Sequence, residues 1–266
     1  MIKTKKRIGI ILAAGIGSRL NVLPQKGVIK PLAEVDDLSL LVRAIRSLEV
    51  AECVQVVIVL GYKALEIQEQ IAAKYNGPIM LKFAVNDQYG LQNGISVLCA
   101  RPFVDGEFVL TMADHILDDS IMSLVRSHRP PKGGATLCVD YKLDTIFDMD
   151  DATKVCSVDG YVTKIDKRLA KYNCIDTGVF IGTQGLFDSI EQVFQEKGDA
   201  SLSEGIQSLA DKRLMMTLDI EGAFWQDVDN YEMLIHAENM LKAAKKNPKP
   251  VHANPEPRLS HETQLL

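Results

Sequence analysis

"RIGIILAAGIGSRL", Arg7 to Leu20, is the stretch whose reading decides the fold. A β-rich apolar run, Arg7 to Leu12, breaks abruptly into a loop holding two glycines, a serine and an arginine. A strand that empties into a nearly side-chain-free loop lets backbone approach a ligand closely. Gly15 and Gly17 expose N–H groups that can cradle an anion, and Arg19 can fork onto phosphate oxygens. Two familiar phosphate loops do not fit. A Walker A loop needs GxxxxGK(S/T), and no such Gly-Lys pair follows Gly15; a dinucleotide fingerprint needs GxGxxG, and its third glycine position is Leu20.

Outward from this loop, strand and helix patterns alternate. Ser39 to Leu48 has helical spacing, with Leu41, Ala44, Ile45 and Leu48 on one face. Val54 to Tyr62 is a near-continuous apolar run, as expected of a parallel strand covered on both faces. Lys63 to Lys74 reads as helix, Ile79 to Asn86 as strand, and Ile95 to Ala100 as a helix opened by Asn93-Gly94. Glu107 to Met112 reads as a strand that delivers Asp114 and His115 at its carboxyl end; a helix over Asp118 to His128 follows, with Asp118 or Asp119 near its cap. This alternation predicts a doubly wound α/β sheet with helices on both faces and ligands at the carboxyl edge, where the glycine loop and Asp114 would meet. The second half is less regular. Ala135 to Leu143 and Cys174 to Gly182 read as strands, Lys154 to Ile165 as a β-hairpin around Asp159-Gly160, and Ser201 to Ala210 and Asn230 to Lys245 as helices.

The 266 residues are 47% apolar and 24% charged, in the range of soluble globular proteins. A net charge of -5 argues against a broad nucleic-acid footprint. No apolar segment approaches the ~20 residues that span a bilayer, so no membrane insertion is expected. The five cysteines are scattered with no CxxC pair, and read as reduced thiols of a cytoplasmic protein.

"LAAGIGSRL", Leu12 to Leu20, followed ten residues on by "KPL", Lys30 to Leu32, resembles the signature LxAAGxGxRL…KP of the sugar-phosphate nucleotidyltransferases. The resemblance implies a Rossmann-like doubly wound mixed sheet in three α/β/α layers, with a small β-rich acceptor-binding extension. It implies one domain over 1–245, with a nucleotide-binding half at about 1–130 and an acceptor-binding half at about 131–245, and a flexible tail over 246–266. Nucleotide contacts are expected from Leu12, Ala13, Ala14, Gly15, Gly17, Ser18, Arg19, Lys30 and Asp114, with Arg19, Lys30 and Lys167 catalytic. "NDQYGLQNGISVLCA" is similar to the segment beside the nucleobase, which brings in Asn86, Asn93, Gly94 and Ser96; a helix cap at Asn93 with Gly94 for close packing is the other reading.

"TMADH" resembles the strand end that binds metal, which makes Asp114 a Mg2+ ligand. Its partner is expected in "FWQDVDNYEML", where the family pattern is W-x-D-(I/V)-D-(T/S). Asp229 is the first choice and Asp227 the second, on the expectation that only one of them faces Asp114; a helix-capping role for Asp229 is the alternative. The stretch Asp148 to Ile181, with "DDATKV", "KIDKRL" and "IDTGVFI", resembles inositol-1-phosphate cytidylyltransferases more closely than glucose-1-phosphate enzymes. Acceptor contacts are then expected from Asp144, Lys167, Asp176, Thr177 and Gly178, within an acidic rim that includes Asp148 and Asp151; Lys167, favoured over Lys164, clamps the acceptor phosphate. His115 is expected to support Asp114, and Trp225 to pack in the core.

The implied reaction is Mg2+-dependent transfer of CMP from CTP to a small phosphorylated polyol, inositol 1-phosphate first. Its CDP-activated product would pass to a downstream membrane phosphotransferase, a half that some relatives carry fused. Competing readings are another base or acceptor (hexose 1-phosphate, choline phosphate, a phosphonate) and a non-catalytic sensor of sugar nucleotides.

Overall fold

The computed structural model describes residues 6–17, 20 and 28–246; Ser18, Arg19 and the expected tail beyond Lys246 lie outside the described residues. β1 (Ile8–Ala13) is the isoleucine-rich run read from the sequence. Beyond the glycine loop, β2 (Glu34–Val35) and β3 (Leu38–Ser39) form a small ribbon, and the Ser39 side chain caps α1 (Leu40–Val50) by accepting from the Val42 N–H. β4 (Gln55–Leu60), α2 (Ala64–Lys74), β5 (Met80–Val85), α3 (Asn93–Ala100) and β6 (Phe108–Met112) continue the alternation. A short β7 (His115–Leu117) precedes α4 (Asp119–Ser127), which is capped by Asp118 through Ser120 N–H. Next come β8 (Ala135–Asp140) and the hairpin of β9 (Lys154–Val158) and β10 (Tyr161–Asp166). Asp159 and Gly160 both have positive φ, the geometry a tight primed turn requires. β11 (Cys174–Gly182), α5 (Gln184–Lys197), α6 (Leu202–Asp211), β12 (Met215–Asp219), β13 (Trp225–Asp227) and α7 (Tyr231–Lys246) complete the chain.

Among the described residues nine strands form one mixed sheet in the order β5-β4-β1-β6-β11-β8-β12-β10-β9. β5, β4, β1 and β6 are mutually parallel, and the chain order reverses between β1 and β6. That reversal opens a crevice beyond the carboxyl ends of these two strands. β11 runs antiparallel to β6 and β8, so its amino end lies at the same edge. Only its carboxyl half, Phe180 to Gly182, pairs with β6; Cys174 and Ile175 pair with β9. Toward its amino end β11 therefore leaves β6, its pairing with β8 shifts register between Asp176 and Phe180, and the far end of the sheet curls toward closure through β9. The gap left beyond β6 is where Asp114 and His115 project.

Alternate strand residues feed two cores, which makes the three layers. Ile10, Val57, Phe108 and Phe180 pack with α3, α5 and α6; Ile11, Val56, Val109 and Ile181 pack with α1, α2 and α4. A third, small cluster joins Leu20, Ala33, Val35, Leu40, Ile116, Val228, Leu234 and Ala237. It clamps α7 and the end of β13 onto the segment that carries Lys30.

Several elements go beyond the sequence reading. α5 buries Leu186, Phe187, Ile190 and Val193, a clear helical spacing that the alternation argument passed over. β7 and β13 are three residues each and exist by pairing with one another. The strand expected over Ala135 to Leu143 stops at Asp140, whose carboxylate accepts from Lys142 N–H and turns the chain. Among the described residues no helix is long and apolar enough to cross a membrane.

Arg7 anchors the front of β1. It is 4% exposed, donates through Nη1 to the Val125 carbonyl at 2.7 Å, and reaches the His128 carbonyl and Glu107. An Arg7→Met substitution should strand these acceptors and lower unfolding free energy by about 2–3 kcal/mol. Urea unfolding checks this, with the circular dichroism of the folded state unchanged.

Candidate active site

The site assembles at the carboxyl edge, in a cleft of about 660 Å³. Leu12, Ala14 and Gly15 line it from the end of β1. Ala13 is the exception in that run: it is buried in the core beneath α1. A Cβ on Gly15 would meet nothing, which fits a surface open to a ligand. Gly17 is required for two reasons: its φ is +64°, and a Cβ there would fall 2.6 Å from the Lys30 Cβ.

Lys30 opens a 3-10 turn whose Pro31 and Leu32 are buried, so its base is fixed. Its ammonium is held by both Asp114 and Asp229. Burial works against that charge, but the two carboxylates, Asp114 first, outweigh it and hold the lysine pKa above its ordinary value. Burial likewise works against ionised Asp114, yet Lys30 and then His115 keep its carboxyl well below the usual range. His115 Nδ1 sits 2.8 Å from Asp114 Oδ1. Its ring is largely withdrawn from solvent, which disfavours charge, but the bond to Asp114 prevails and raises its pKa. Gly178, at φ +72°, makes room for this ring: a Cβ there would be 2.5 Å from His115 Nε2.

The acidic pair behaves differently from expectation. Asp227 and Asp229 both line the cleft, while Val228 between them is fully buried. Residues two apart in an extended segment share a face, so the expectation that only one faces Asp114's side is corrected. Asn230 Oδ1 accepts from Met233 N–H and caps α7, which removes the need for Asp229 as a cap. Ligand atoms of Asp151, Asp227 and Asp229 lie within 4.8 Å of one another. Burial first, then the neighbouring Asp229 and Asp114 charges, raise the pKa of Asp227.

The expected nucleobase segment divides. Asn93 and Ser96 line the cleft. Asn86 is buried and committed to Ser96 Oγ and the Gln88 N–H. Asn93 caps α6, not its own helix, by accepting from Leu202 N–H at 2.9 Å. Gly94 lies against the backbone of Ala200, where a Cβ would be 2.4 Å from its carbonyl oxygen, so the close approach is a packing contact.

On the acceptor side, Lys167, Asp176 and Gly178 line the cleft, with Lys167 Nζ 2.7 Å from Asp151. Thr177 is fully buried and donates to the Cys138 carbonyl, so its hydroxyl faces away. Asp144 is exposed and outside the lining, where Thr145, Phe147 and Asp148 stand instead. Trp225 is half in the core and half in the cleft wall; its indole N–H donates to Asp140. Asp140, Lys142 and His236 also line the cleft and were missed, because no local period ties them to a motif; Gln226 was missed as the variable position between Trp225 and Asp227.

Burial raises the Asp176 carboxyl to about 6, against 3.8 ordinarily, with Gly178 N–H and His115 opposing. Between those values the folded state binds more protons than the unfolded one, so stability falls as pH rises through the window and stays lower above it. Asp176→Asn should therefore be more stable than the parent at pH 8 by about 2–3 kcal/mol, and equal to it near pH 4. Urea unfolding across that range measures the difference.

Comparison with known proteins agrees with this geometry. The chain is 30% identical over 232 residues to the bifunctional IPC transferase and DIPP synthase of Aquifex aeolicus, covering 87% of this chain and 51% of that protein. The protein of the same name from Archaeoglobus fulgidus is 32% identical over 237 residues, 88% of this chain and 44% of its own. The chain thus spans about half the length of these relatives. Among solved structures, the inositol-1-phosphate CTP transferase from T. maritima shares the fold, with a TM-score of 0.79, 24% identity, and coverage of 91% of this chain and 97% of that one. A UDP-glucose pyrophosphorylase shares it at 0.71 and 15%, covering 90% and 99%. Residues 8–244 match the model described as Nucleotidyl transferase, and the chain belongs to that family.

Proposed function

We propose that the cleft transfers CMP from CTP to inositol 1-phosphate, giving CDP-inositol and pyrophosphate. The observation that carries this reading is the Lys30 ammonium held by Asp114 and Asp229, directly behind Gly17 at the sheet's carboxyl edge. The names of the relatives and the "DDATKV", "KIDKRL" and "IDTGVFI" runs support the cytidylyl and inositol parts. The segment 1–130 takes the nucleotide and 131–245 the acceptor.

In the reaction, an oxygen of the acceptor's phosphate forms a bond to the α-phosphorus of CTP. The bond from that phosphorus to the bridging oxygen breaks, and pyrophosphate leaves with the electron pair. The attacking phosphate is an anion at neutral pH, so no side chain has to remove a proton. What remains is positioning and charge compensation. The backbone at Gly15 and Gly17 cradles phosphates, and Lys30 meets the inner ones; Arg19 joins them on the strength of the motif. Asn93 and Ser96 stand where the base enters. Lys167 orients the acceptor's phosphate.

Asp114, Asp151, Asp227 and Asp229 offer hard oxygen donors close together, and Lys30 shows that a cation is stable between two of them. These residues fit Mg2+, which when bound supplies neutralisation of phosphate charge. The product suits a later enzyme that displaces CMP, a membrane phosphotransferase on the resemblance read from the sequence, and the relatives' names pair their transferase with a DIPP synthase; reduced cysteines suit a cytoplasmic setting.

Pyrophosphate release should be fastest with CTP and inositol 1-phosphate in a panel of nucleoside triphosphates and of acceptors that includes glucose 1-phosphate, choline phosphate and a phosphonate. A faster alternative acceptor would replace inositol in this reading, and no turnover with any pair would end it. Lys30→Met should keep the fold and lower kcat by about 10²–10³-fold.

A further inference from the structure

Gln226 is a polar side chain that the transfer reaction leaves unused. It is 4% exposed, and its Nε2 donates to the Met233 carbonyl at 2.8 Å. That bond fixes which end of the amide is which. Its Oε1 therefore points the other way and is an acceptor only. The atom it meets, at 2.5 Å, is Nδ1 of His236, one further helical step along α7. An acceptor facing Nδ1 demands a proton there. In a neutral imidazole the remaining nitrogen, Nε2, then carries a lone pair and no hydrogen.

His236 and Gln226 both line the cleft, and so do Phe147 and Met240. The Phe147 ring lies against the imidazole, with centroids 4.5 Å apart and planes 33° from parallel. Phe147 is nonetheless 47% exposed, so part of its apolar surface remains accessible there. The wall thus offers one fixed hydrogen-bond acceptor beside an aromatic surface. A polyhydroxylated ring has the complementary features: hydroxyls that donate and a face of C–H groups that packs on an aromatic ring.

We propose that His236 is a further specificity-determining residue of this site, accepting at Nε2 a hydrogen bond from a hydroxyl of a cyclic polyol phosphate that lies against Phe147. The inference rests on the acceptor assignment proposed above. Gln226 is a positioning residue, acting only through the tautomer it imposes.

The test is nitrogen-detected NMR of the full chain, with His236 assigned from the His236→Phe spectrum. Nδ1 should resonate as a protonated ring nitrogen and Nε2 as an unprotonated one; the reverse pattern overturns the proposal. Inositol 1-phosphate should shift the Nε2 signal, and cyclohexyl phosphate, the same ring without hydroxyls, should not. Equal shifts or none from the two probes also overturn it, whether or not the protein turns inositol 1-phosphate over. In kinetics, His236→Phe should raise the KM for inositol 1-phosphate about 10-fold, leaving kcat and the KM for CTP unchanged. Turnover with no change in that KM removes the role of His236 and leaves the proposed function standing. A shifted Nε2 signal without turnover removes the proposed function and leaves the binding role.

Discussion

A single ammonium group organises the cleft. Lys30 is 84 residues from Asp114 and 199 from Asp229, and its charge holds the two carboxylates in one place. Without an opposite charge between them, two partly buried carboxylates sharing one site would repel, which favours protonation of one. The small cluster of Leu20, Ala33, Ile116, Val228 and Leu234 lies where these three segments meet. Apolar burial and the ion pair thus act on the same joints. The cluster brings α7 to the edge of the sheet, and the ion pairs then draw Asp114 and Asp229 together around Lys30.

The cleft exists because of how β11 divides its pairing. A strand that followed β6 along its whole length would fill the edge of the sheet with backbone hydrogen bonds and leave no crevice. β11 instead pairs with β9 at Cys174 and Ile175 and meets β6 only from Phe180, while its pairing with β8 shifts register between Asp176 and Phe180. Gly178 sits at that parting, and its missing side chain is what lets the His115 ring enter. Asp114 then has one partner on each side, an imidazole and an ammonium, and its ionised state is secured from both. A backbone irregularity is in this way converted into the electrostatics of the site.

Much of this was readable from the chain itself. The first half alternates strands and helices whose burial is periodic, and local patterning is enough to place β1, β4, β6 and the glycine loop. Lys30, Asp114 and Asp229 were readable because each stands in a motif with fixed spacing. What escaped depends on long-range contact. β7 and β13 are too short to carry a period and form only as a pair. Asn93 looks like the start of its own helix and in fact caps α6, more than a hundred residues on. Gly94 suggests room for a ligand, yet the Ala200 carbonyl occupies that space. His236 is anonymous in sequence, since its significance comes from an amide ten residues earlier whose orientation is fixed by a third group.

The charge balance of the cleft sets a further constraint on any anionic ligand. Among the described residues the lining includes Asp114, Asp140, Asp148, Asp151, Asp176, Asp227 and Asp229, against Lys142 and Lys167. Lys30 adds one positive charge that Asp114 and Asp229 already share, and Lys167 is engaged by Asp151. A triphosphate entering such a cleft alone would meet net repulsion at short range, where screening is weak. The glycine loop is the exception, because backbone N–H groups attract phosphate without a counter-charge. On the proposed reading the outer phosphates would dock there, and the inner phosphorus would approach the carboxylates more easily with added positive charge. On that same reading, a cation and the nucleotide would each lower the electrostatic cost of the other's entry, and the surplus of carboxylates would couple them.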